Sequence, residues 1–260
     1  MSGGESITVN PDLGWAAGHL SGVGTAVFVA GANLHVLSGS GTTDGTPNGL
    51  GNVIVGYNEL RPLSPNVRTG SHMLVLGKFQ NYSRFGGVAA GVYNDCDGDF
   101  ASAFGESNTA SGRASAVLGG SRNLASADNS AVCGGWGNEA AGTYSSVSGG
   151  SDNHATKEAA WVGGGGGNWC EGDRAAISGG SENRANGEYA SVSGGANNNA
   201  NAPFSSVTGG QGNAADGRYA SVQGGQSNNA IGDWSSVSGG LTRLAPAVHN
   251  WVGGGLLQPF

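Results

Sequence analysis

The sequence has few charged side chains, and this scarcity excludes one broad class of binding protein. Only 11% of its 260 residues are charged, whereas an ordinary soluble domain has about 25%. Acidic residues outnumber basic ones by 18 to 11, and the formal net charge is −7. No basic patch of the kind that holds a phosphate backbone is visible. We therefore predict that the chain does not bind nucleic acid.

Long apolar runs are missing as well. No stretch of about 20 apolar residues occurs, so we expect no segment to insert into a membrane. The first residues, Met1 to Glu5, lack the basic and apolar parts of a secretory signal peptide. We accordingly expect no export signal in this chain.

Cysteine is scarce, with only Cys96, Cys133 and Cys170 in the chain. An odd number at wide spacing argues against a disulfide framework. We predict three free thiols, of which Cys96 and Cys170 lie in inward-facing positions. The five histidines show no metal-ligand spacing to one another or to cysteine, so we predict no metal site at these residues.

Glycine, by contrast, is abundant, with 52 residues. Each glycine in a helix costs roughly 1 kcal/mol, so a helical fold is excluded, and glycine does not recur every third residue as in collagen. Instead one hydrophobic column recurs at every fifteenth position: Val117, Val132, Val147, Val162, Ile177, Val192, Val207, Val222, Val237 and Val252.

Two further columns keep the same step. One is an alanine column that runs from Ala110 to Ala245, with Cys170 as one member. The other is an asparagine column that we predict to form a structural ladder of stacked amides: Asn123, Asn138, Asn153, Asn168, Asn183, Asn198, Asn213 and Asn228.

A 15-residue repeat with this pattern predicts an all-β fold, a parallel β-solenoid or β-roll. Each coil has room for two short strands and two tight turns, and coils stack about 4.8 Å apart. The valine and alanine columns are nearly constant, so we expect them to face a thin core. The glycine pairs that follow each valine are expected to supply turns with positive φ.

The repeat divides the chain into four parts. We predict an N-terminal cap at residues 1–24, irregular coils with inserted loops at 25–107, regular 15-residue coils at 108–255, and a C-terminal cap at 256–260. Residues 25–37 are expected to hold two strands around Gly31. The inserted loops are predicted at residues 38–51 and 60–71, where solenoids often carry their binding residues.

The units at 146–150 (Ser-Val-Ser-Gly-Gly) and 183–187 (Asn-Arg-Ala-Asn-Gly) resemble those of trimeric autotransporter adhesin heads, the YadA-like left-handed parallel β-rolls. The resemblance covers about residues 100–255. It implies a left-handed coil, a homotrimer, display on a bacterial cell surface, and binding to a host-surface protein or glycan. The chain departs from that family in showing no coiled-coil stalk and no membrane anchor. A phage tail fibre, which would place it in a virion, is therefore an alternative.

The residues themselves also favour a trimer. The outward columns of Ser191 and Ser193 stay small in most coils, whereas a solvent-facing column is expected to drift to charged residues. Close packing against another chain explains this, although serine that is merely tolerated there explains it too. A thin core is a weak source of stability on its own, which also favours oligomers.

Three groups of residues are candidates for ligand contact. Arg61, Arg68 and His72 belong to the second inserted loop or adjoin it. An outward aromatic column, with Tyr189, Tyr219 and Trp234 as candidate ligand residues beside Tyr144 and Phe204, could contact sugars or pack against a neighbouring chain. The alternating carboxylates Asp95, Asp97 and Asp99 suggest either calcium or a solvated turn.

No set of nucleophile, base and acid stands out, so we expect the protein not to be an enzyme. We predict a structural or adhesive fibre module that attaches to a host surface or glycan. One alternative is an ice-binding solenoid, because stacked Ser-Val-Ser strands place hydroxyls about 7 Å apart along a strand and about 4.8 Å between coils. Another is a carbohydrate-active enzyme on a solenoid, which would need an acidic cleft.

Overall fold

The computed structural model describes residues 20–23, 26–29, 33–63 and 65–253, and none of these residues is helical. The chain divides into two compact units, Met1–Val36 and Leu37–Phe260. Of the cap predicted at residues 1–24 only Leu20–Val23 is described, and the cap predicted at 256–260 lies outside the described residues.

The described part of the first unit contains one pair of antiparallel strands, Leu20–Val23 and Ala26–Val29, and residues 33–36, which are not in a strand. We predicted two strands on either side of Gly31, and the second of them is wrong, since residues 33–37 carry no strand. The antiparallel pairing has a simple reason. Only two residues separate the strands, which suits a hairpin, whereas parallel strands need a connection of about a dozen residues or more.

The second unit is a parallel β-solenoid, as predicted from the repeat. Its first sheet, here the valine sheet, contains fourteen strands among the described residues. In chain order they are Val53–Val55, Leu74–Lys78, Val88–Val92, Ser102–Glu106, Ala116–Val117, Ala131–Val132, Ser146–Val147, Trp161–Val162, Ala176–Ile177, Ser191–Val192, Ser206–Val207, Ser221–Val222, Ser236–Val237 and Trp251–Val252.

The second sheet, here the alanine sheet, contains twelve strands within the same described ranges. They are Asn81–Tyr82, Asp95–Cys96, Thr109–Ala110, Leu124–Ala125, Glu139–Ala140, His154–Ala155, Trp169–Cys170, Arg184–Ala185, Asn199–Ala200, Ala214–Ala215, Asn229–Ala230 and Leu244–Ala245. From Leu74 to Val252 the chain alternates between the two sheets, so each coil that ends before Trp251 adds one strand to both.

In the valine sheet the regular step of 15 begins at Ala116, which pairs with Ala131, and continues to Ser236, which pairs with Trp251. Backbone bonds between coils extend beyond the two-residue strands. For example, the N–H of Ser193 donates to the carbonyl of Val207 at 3.0 Å. A further row of single parallel bridges lies on the turn after each glycine pair, so most of the coil backbone pairs with its neighbours.

The earlier coils are more regular than the predicted irregular pattern. From Leu74 through Val88 and Ser102 to Ala116 the step along the sequence is constant at 14. Only the step from Val53 to Leu74 is longer, at 21. The irregularity seen in the sequence is therefore an insertion within one coil, next to a short run of 14-residue coils.

The core is as thin as the repeat predicts. The valine and alanine columns are 0–1% exposed from Val117 to Ala245 and form one continuous cluster. The 14-residue coils have a separate cluster that contains larger side chains, including Met73, Val75 and Tyr82. The size of the buried side chains thus distinguishes the 14-residue coils from the 15-residue coils.

The asparagine ladder is present, and its bonds differ from simple amide stacking. The backbone N–H of each asparagine donates to the side-chain oxygen of the one before, as from Asn183 to Asn168 at 3.0 Å. Each side-chain nitrogen donates to carbonyls of its own coil and of the next, as from Asn168 to Gly164 and Gly180. Gln80 and Asn94 begin the ladder in the earlier coils. All these residues are fully buried, so the ladder satisfies turn groups that would otherwise lack partners.

Candidate binding surfaces

Arg61 and Arg68 hold the inserted loop to the solenoid. Arg61 is 8% exposed, pairs with Asp95 at 2.9 Å, and donates to the carbonyls of Phe79 and Asn94. Arg68 donates to the carbonyls of Gln80, Asn58 and Glu59. These bonds occupy most of both guanidinium groups, so both arginines have a structural role. Contact with a ligand, predicted for both, would require breaking these bonds.

His72 is likewise engaged by the backbone. Its Nε2 accepts from the N–H of Ser38 at 3.2 Å, and its Nδ1 lies 3.1 Å from the carbonyl oxygen of Thr43. A neutral ring with its proton on Nδ1 satisfies both partners. The ring also borders a cavity of about 300 Å³ beside the first inserted loop. Of the three predicted loop residues, His72 is the one that lines this cavity.

The carboxylates proposed for calcium have separate surroundings. Asp95 pairs with Arg61, and Asp97 accepts a hydrogen bond from the Ser83 hydroxyl at 2.8 Å. One oxygen of Asp99 is buried without a hydrogen-bond partner. In the described part of the chain no three acidic, histidine or cysteine side chains gather as a metal-binding group.

All three cysteines are free thiols, as predicted, and Cys96 and Cys170 are the buried ones. Burial raises the pKa of each of these two thiols to about 12. A buried thiol that stays protonated is a poor nucleophile. These residues therefore belong to the core.

The aromatic column forms a continuous stack on the outside of one turn. Tyr189, Phe204, Tyr219 and Trp234 lie with ring centroids 4.8–5.4 Å apart and planes within 13° of parallel. His249 extends the stack beyond Trp234. The Arg174 guanidinium lies 5.6 Å from the Tyr189 ring centre at the other end. We call these six residues the aromatic ladder.

Two members of the ladder, Arg174 and His249, are not among the residues predicted from the sequence. Both occupy the column at the same 15-residue step, so the register itself could have identified them. The pKa of Arg174 is raised, chiefly by the nearby Glu158 carboxylate.

Every residue of the ladder adopts a left-handed backbone, with φ between 54° and 59°. Bulky side chains rarely occupy this region, and the conformation costs about 1–3 kcal/mol. Stacking of aromatic pairs returns roughly 0.5–1.5 kcal/mol for each pair. The stack therefore offsets part of the strain, and its ring faces are covered by one another. The four central rings keep 38–49% of their surface exposed, chiefly along their edges.

The outer face of the valine sheet carries two small, uncharged columns. We call the part between Trp161 and Trp251 the serine strip. It consists of Ala176, Ser191, Ser206, Ser221 and Ser236 in one column and Ser178, Ser193, Thr208, Gln223 and Ser238 in the other. The second column is mostly exposed and the first is half-buried. The strip presents hydroxyl and amide groups without a charge.

A tryptophan stands at each end of the serine strip. The indole Nε1 of Trp161 donates to the Ser148 hydroxyl at 3.4 Å, and that of Trp251 to the Ser238 hydroxyl at 2.9 Å. Both indoles remain exposed, Trp161 at 39% and Trp251 at 68%. In the sequence these residues fall in outward columns, and the pattern by itself assigns them no role.

No known protein family matches this chain. No curated protein is similar to it either. The described residues include no helix long and apolar enough to cross a membrane.

Two features of those surfaces bear on the chemistry. Two shallow cavities lined by described residues hold about 300 and 230 Å³, and their lining residues include His72 in one and Glu59 in the other. The larger features are flat and repetitive, namely the serine strip and the aromatic ladder. Flat repeated surfaces suit extended partners better than they suit a small substrate held in a cleft.

Proposed function

We propose that this protein is a non-catalytic adhesive fibre module that attaches to a glycan or protein on a host surface. The observation that carries the proposal is the unbroken run of 15-residue coils from Ala116 to Trp251, in which outward-facing positions recur at one fixed step. Such a rod is stiff, because backbone bonds and the buried asparagine ladder link every coil to the next. Display on a bacterial cell surface or on a virion fibre fits this role.

Part of the proposal is a homotrimer of left-handed coils, as in the adhesin heads that the repeats resemble. We assign the chain-to-chain contact to the aromatic ladder. Its ring faces are already covered by neighbouring rings, so a sugar has no free face to stack on except at the two ends. Its exposed edges still offer apolar area, and aromatic residues are favoured in protein interfaces.

Sedimentation velocity and surface-binding measurements test the proposal together. We expect a trimer for the intact protein and a shift toward monomer when Tyr219 and Phe204 are both changed to serine. The matched control is Tyr144→Ser, because Tyr144 lies in the same column and Ala159 separates it from the ladder. If the double variant remains a trimer, the chain-to-chain contact does not lie at the aromatic ladder. Absence of binding to any glycan or cell type by the intact protein would refute the adhesive function.

An ice-binding solenoid is the second candidate, and the serine strip favours it. The strip is flat and uncharged, and its hydroxyls repeat about every 4.8 Å from coil to coil. The strip contains Gln223 and ends at bulky indoles, and both features interrupt the lattice of hydroxyls. Thermal hysteresis measured on the intact protein tests this candidate, and its absence would eliminate it.

A further inference from the structure

Trp161 and Trp251 share a local arrangement. Each is followed two residues later by a glycine, Gly163 in one coil and Gly253 in the other. Between Leu118 and Gly253 the same column holds a side chain in all the remaining coils: Leu118, Cys133, Ser148, Ser178, Ser193, Thr208, Gln223 and Ser238. Glycine thus appears in this column only where tryptophan lies two residues before it, so the two residues belong to one local arrangement.

Both glycines leave room for the indole that precedes them. A Cβ placed on Gly163 would lie 3.0 Å from Cη2 and Cζ2 of Trp161, and also 2.4 Å from the carbonyl oxygen of Ser178. One placed on Gly253 would lie 2.9 Å from Cη2 of Trp251. Each six-membered ring therefore lies against the glycine that follows it. The hydrogen bond from Nε1 to a serine hydroxyl fixes the other side of the indole. Both tryptophans are held in one orientation along the sheet.

These indoles differ from the aromatic ladder in what they leave open. In the ladder each ring face is covered by the next ring, at 4.8–5.4 Å. Among the described residues no ring or guanidinium group stacks on Trp161 or Trp251, and the two residues keep 39% and 68% of their surface exposed. They are oriented aromatic platforms that face outward.

The path between the platforms is uncharged throughout. Six coils separate Trp161 from Trp251, which places them about 29 Å apart at the usual spacing of parallel strands. The serine strip fills this distance with hydroxyl groups and one side-chain amide. Only one bond between strip hydroxyls is present, from Ser221 to Ser236 at 3.0 Å. Most of the strip hydroxyls can therefore bond to a ligand.

We propose that the serine strip with its two platforms binds a linear, uncharged polysaccharide that lies along the solenoid. A pyranose ring has an apolar face of C–H groups and a rim of hydroxyls. The face would stack on Trp161 or Trp251, and the rims of the intervening sugars would bond to the strip. The net charge of −7 disfavours anionic polysaccharides and nucleic acids. This assignment rests on the proposed adhesive function and names its ligand class.

The first test resolves the individual tryptophans. Protein labelled with 5-fluorotryptophan is titrated with cellohexaose, chitohexaose and maltohexaose and followed by fluorine NMR. We expect at least one of these sugars to shift the signals of Trp161 and Trp251, assigned by Trp→Phe variants, and to leave Trp136 unmoved. Trp136 is the internal control because its ring, although exposed, is covered by the Arg122 guanidinium. Shifts confined to the other tryptophans, or no shift with any sugar, would overturn the proposal.

The second test uses multivalency. With a soluble polymer of the sugar that binds, loss of one platform in Trp161→Ala or Trp251→Ala should weaken binding by about 100-fold, because two linked contacts reinforce each other. With a trisaccharide, the same variants should reduce the number of sites from two to one. Trp136→Ala should change neither value.

Failures of the two proposals give different results. If both platform variants bind cells or polymer like the intact protein, the adhesive function stands and the platform assignment is wrong. If the intact protein binds no glycan or cell at all, the adhesive function itself fails, and the platform assignment with it. If the fluorine signals of Trp161 and Trp251 shift with protein concentration instead of sugar, the strip is a contact between copies of this chain, and the polysaccharide proposal is refuted.

Discussion

The coils between Leu74 and Ala116 and those after Ala116 differ by one residue per turn. In the earlier of these the valine-sheet strands are five residues long and pass through a single glycine, as in Val88–Val92. In the later coils the strand ends after two residues, and a glycine pair follows. The register shows where the change occurs, since Val117 pairs with Ala103 at a step of 14 and Ser121 with Glu106 at a step of 15.

The extra residue therefore lies between Val117 and Ser121, and every later coil repeats it. One residue added on one side of a pairing is the definition of a β-bulge. Here every later coil contains the same extra residue. The backbone pairing is therefore mismatched only once, at the junction where the 14-residue coils meet the 15-residue coils. The comparison teaches that a solenoid tolerates different coil lengths provided that neighbouring coils agree. The rest of the coil, from the ladder amide to the next strand, is the same in both regions.

The largest expected effect tests whether the glycine with positive φ, three residues before each ladder asparagine, is needed in both regions. Gly180 has φ +92°, and an added Cβ would lie 2.2 Å from the carbonyl oxygen of Gly195. Gly91 in a 14-residue coil has φ +117° and a contact of 2.0 Å with the carbonyl oxygen of Gly105. We expect Gly180→Ala and Gly91→Ala each to lower the free energy of unfolding by about 3–5 kcal/mol, from strain and displaced backbone bonds.

Urea denaturation measures this effect, and the neighbouring glycine provides the control. A Cβ on Gly179 meets nothing within 4 Å, so Gly179→Ala should be neutral or stabilise by up to about 1 kcal/mol. Equal losses at Gly179 and Gly180 would contradict the geometry of the glycine pair.

The second prediction concerns the ladder, which is common to both regions. Asn168→Ala leaves the N–H of Asn183 and the carbonyl of Gly164 without their partner. It also removes one of the two hydrogen bonds to the carbonyl of Gly180, which keeps the N–H of Gly166. Buried groups left unpaired cost about 1–3 kcal/mol each, and we expect a loss of about 3–4 kcal/mol in urea denaturation after partial relaxation.

Asn94→Ala, in a 14-residue coil, should lower the free energy of unfolding by a similar amount, because Asn94 makes equivalent bonds. Asn199→Ala, next to the ladder but facing outward, should stay within about 0.5 kcal/mol. A much smaller loss at Asn94 than at Asn168 would show that the earlier coils do not depend on the ladder.

The third prediction concerns the propagated bulge. Deleting Gly119 makes its coil as short as those before it and moves the single junction by one coil, so we expect a change of about 1 kcal/mol or less. Deleting Gly179 creates a short coil between two long ones and therefore two new mismatches. Unpaired backbone groups at each should lower the free energy of unfolding by about 2–4 kcal/mol. Thermal denaturation of the two deletion variants shows which of them loses more stability. Equal losses would contradict the placement of the junction between Val117 and Ser121.

The smallest expected effect compares one buried thiol from each region. The pKa of Cys96 and of Cys170 rises from 9.0 to about 12 in the folded chain. The stability due to each neutral thiol is present below pH 9 and is lost as the pH rises toward 12. At about pH 10 the intact protein should have lost about 1 kcal/mol more than Cys170→Ala or Cys96→Ala.

Denaturation at pH 7 and pH 10 provides the measurement. Cys133→Ala serves as the control, because that thiol is exposed and its removal should leave the pH dependence unchanged. A pH dependence that survives removal of both buried thiols would have to come from other groups.

Much of this architecture could be predicted because the repeat is a one-dimensional pattern. Residues with the same environment recur at a fixed step, so the valine, alanine and asparagine columns reveal the inward face without any contact being known. The same logic placed Cys96 and Cys170 in the core and Cys133 outside it. Register in a stacked solenoid is local, since each coil touches only its neighbours.

The candidate sites were harder to predict, because their roles depend on what else lies nearby. Arg61 and Arg68 are polar loop residues in the sequence, and only the fold brings them to the carbonyls of Phe79 and Gln80. Tyr189 and Tyr219 are outward aromatics in the sequence, and only the stack removes their free faces. The sequence shows that Gly163 follows Trp161 by two residues, but only the fold shows that the indole lies against this glycine.

The sequence by itself determined the repeat, the parallel stacking of two narrow sheets, and the inward face, since side-chain alternation and a constant step leave few other arrangements. The tertiary structure decided the exact coil lengths before Ala116, the position of the added residue, and which exposed side chains remain available. Those properties depend on hydrogen bonds and ring contacts between neighbouring coils, and no single coil contains them.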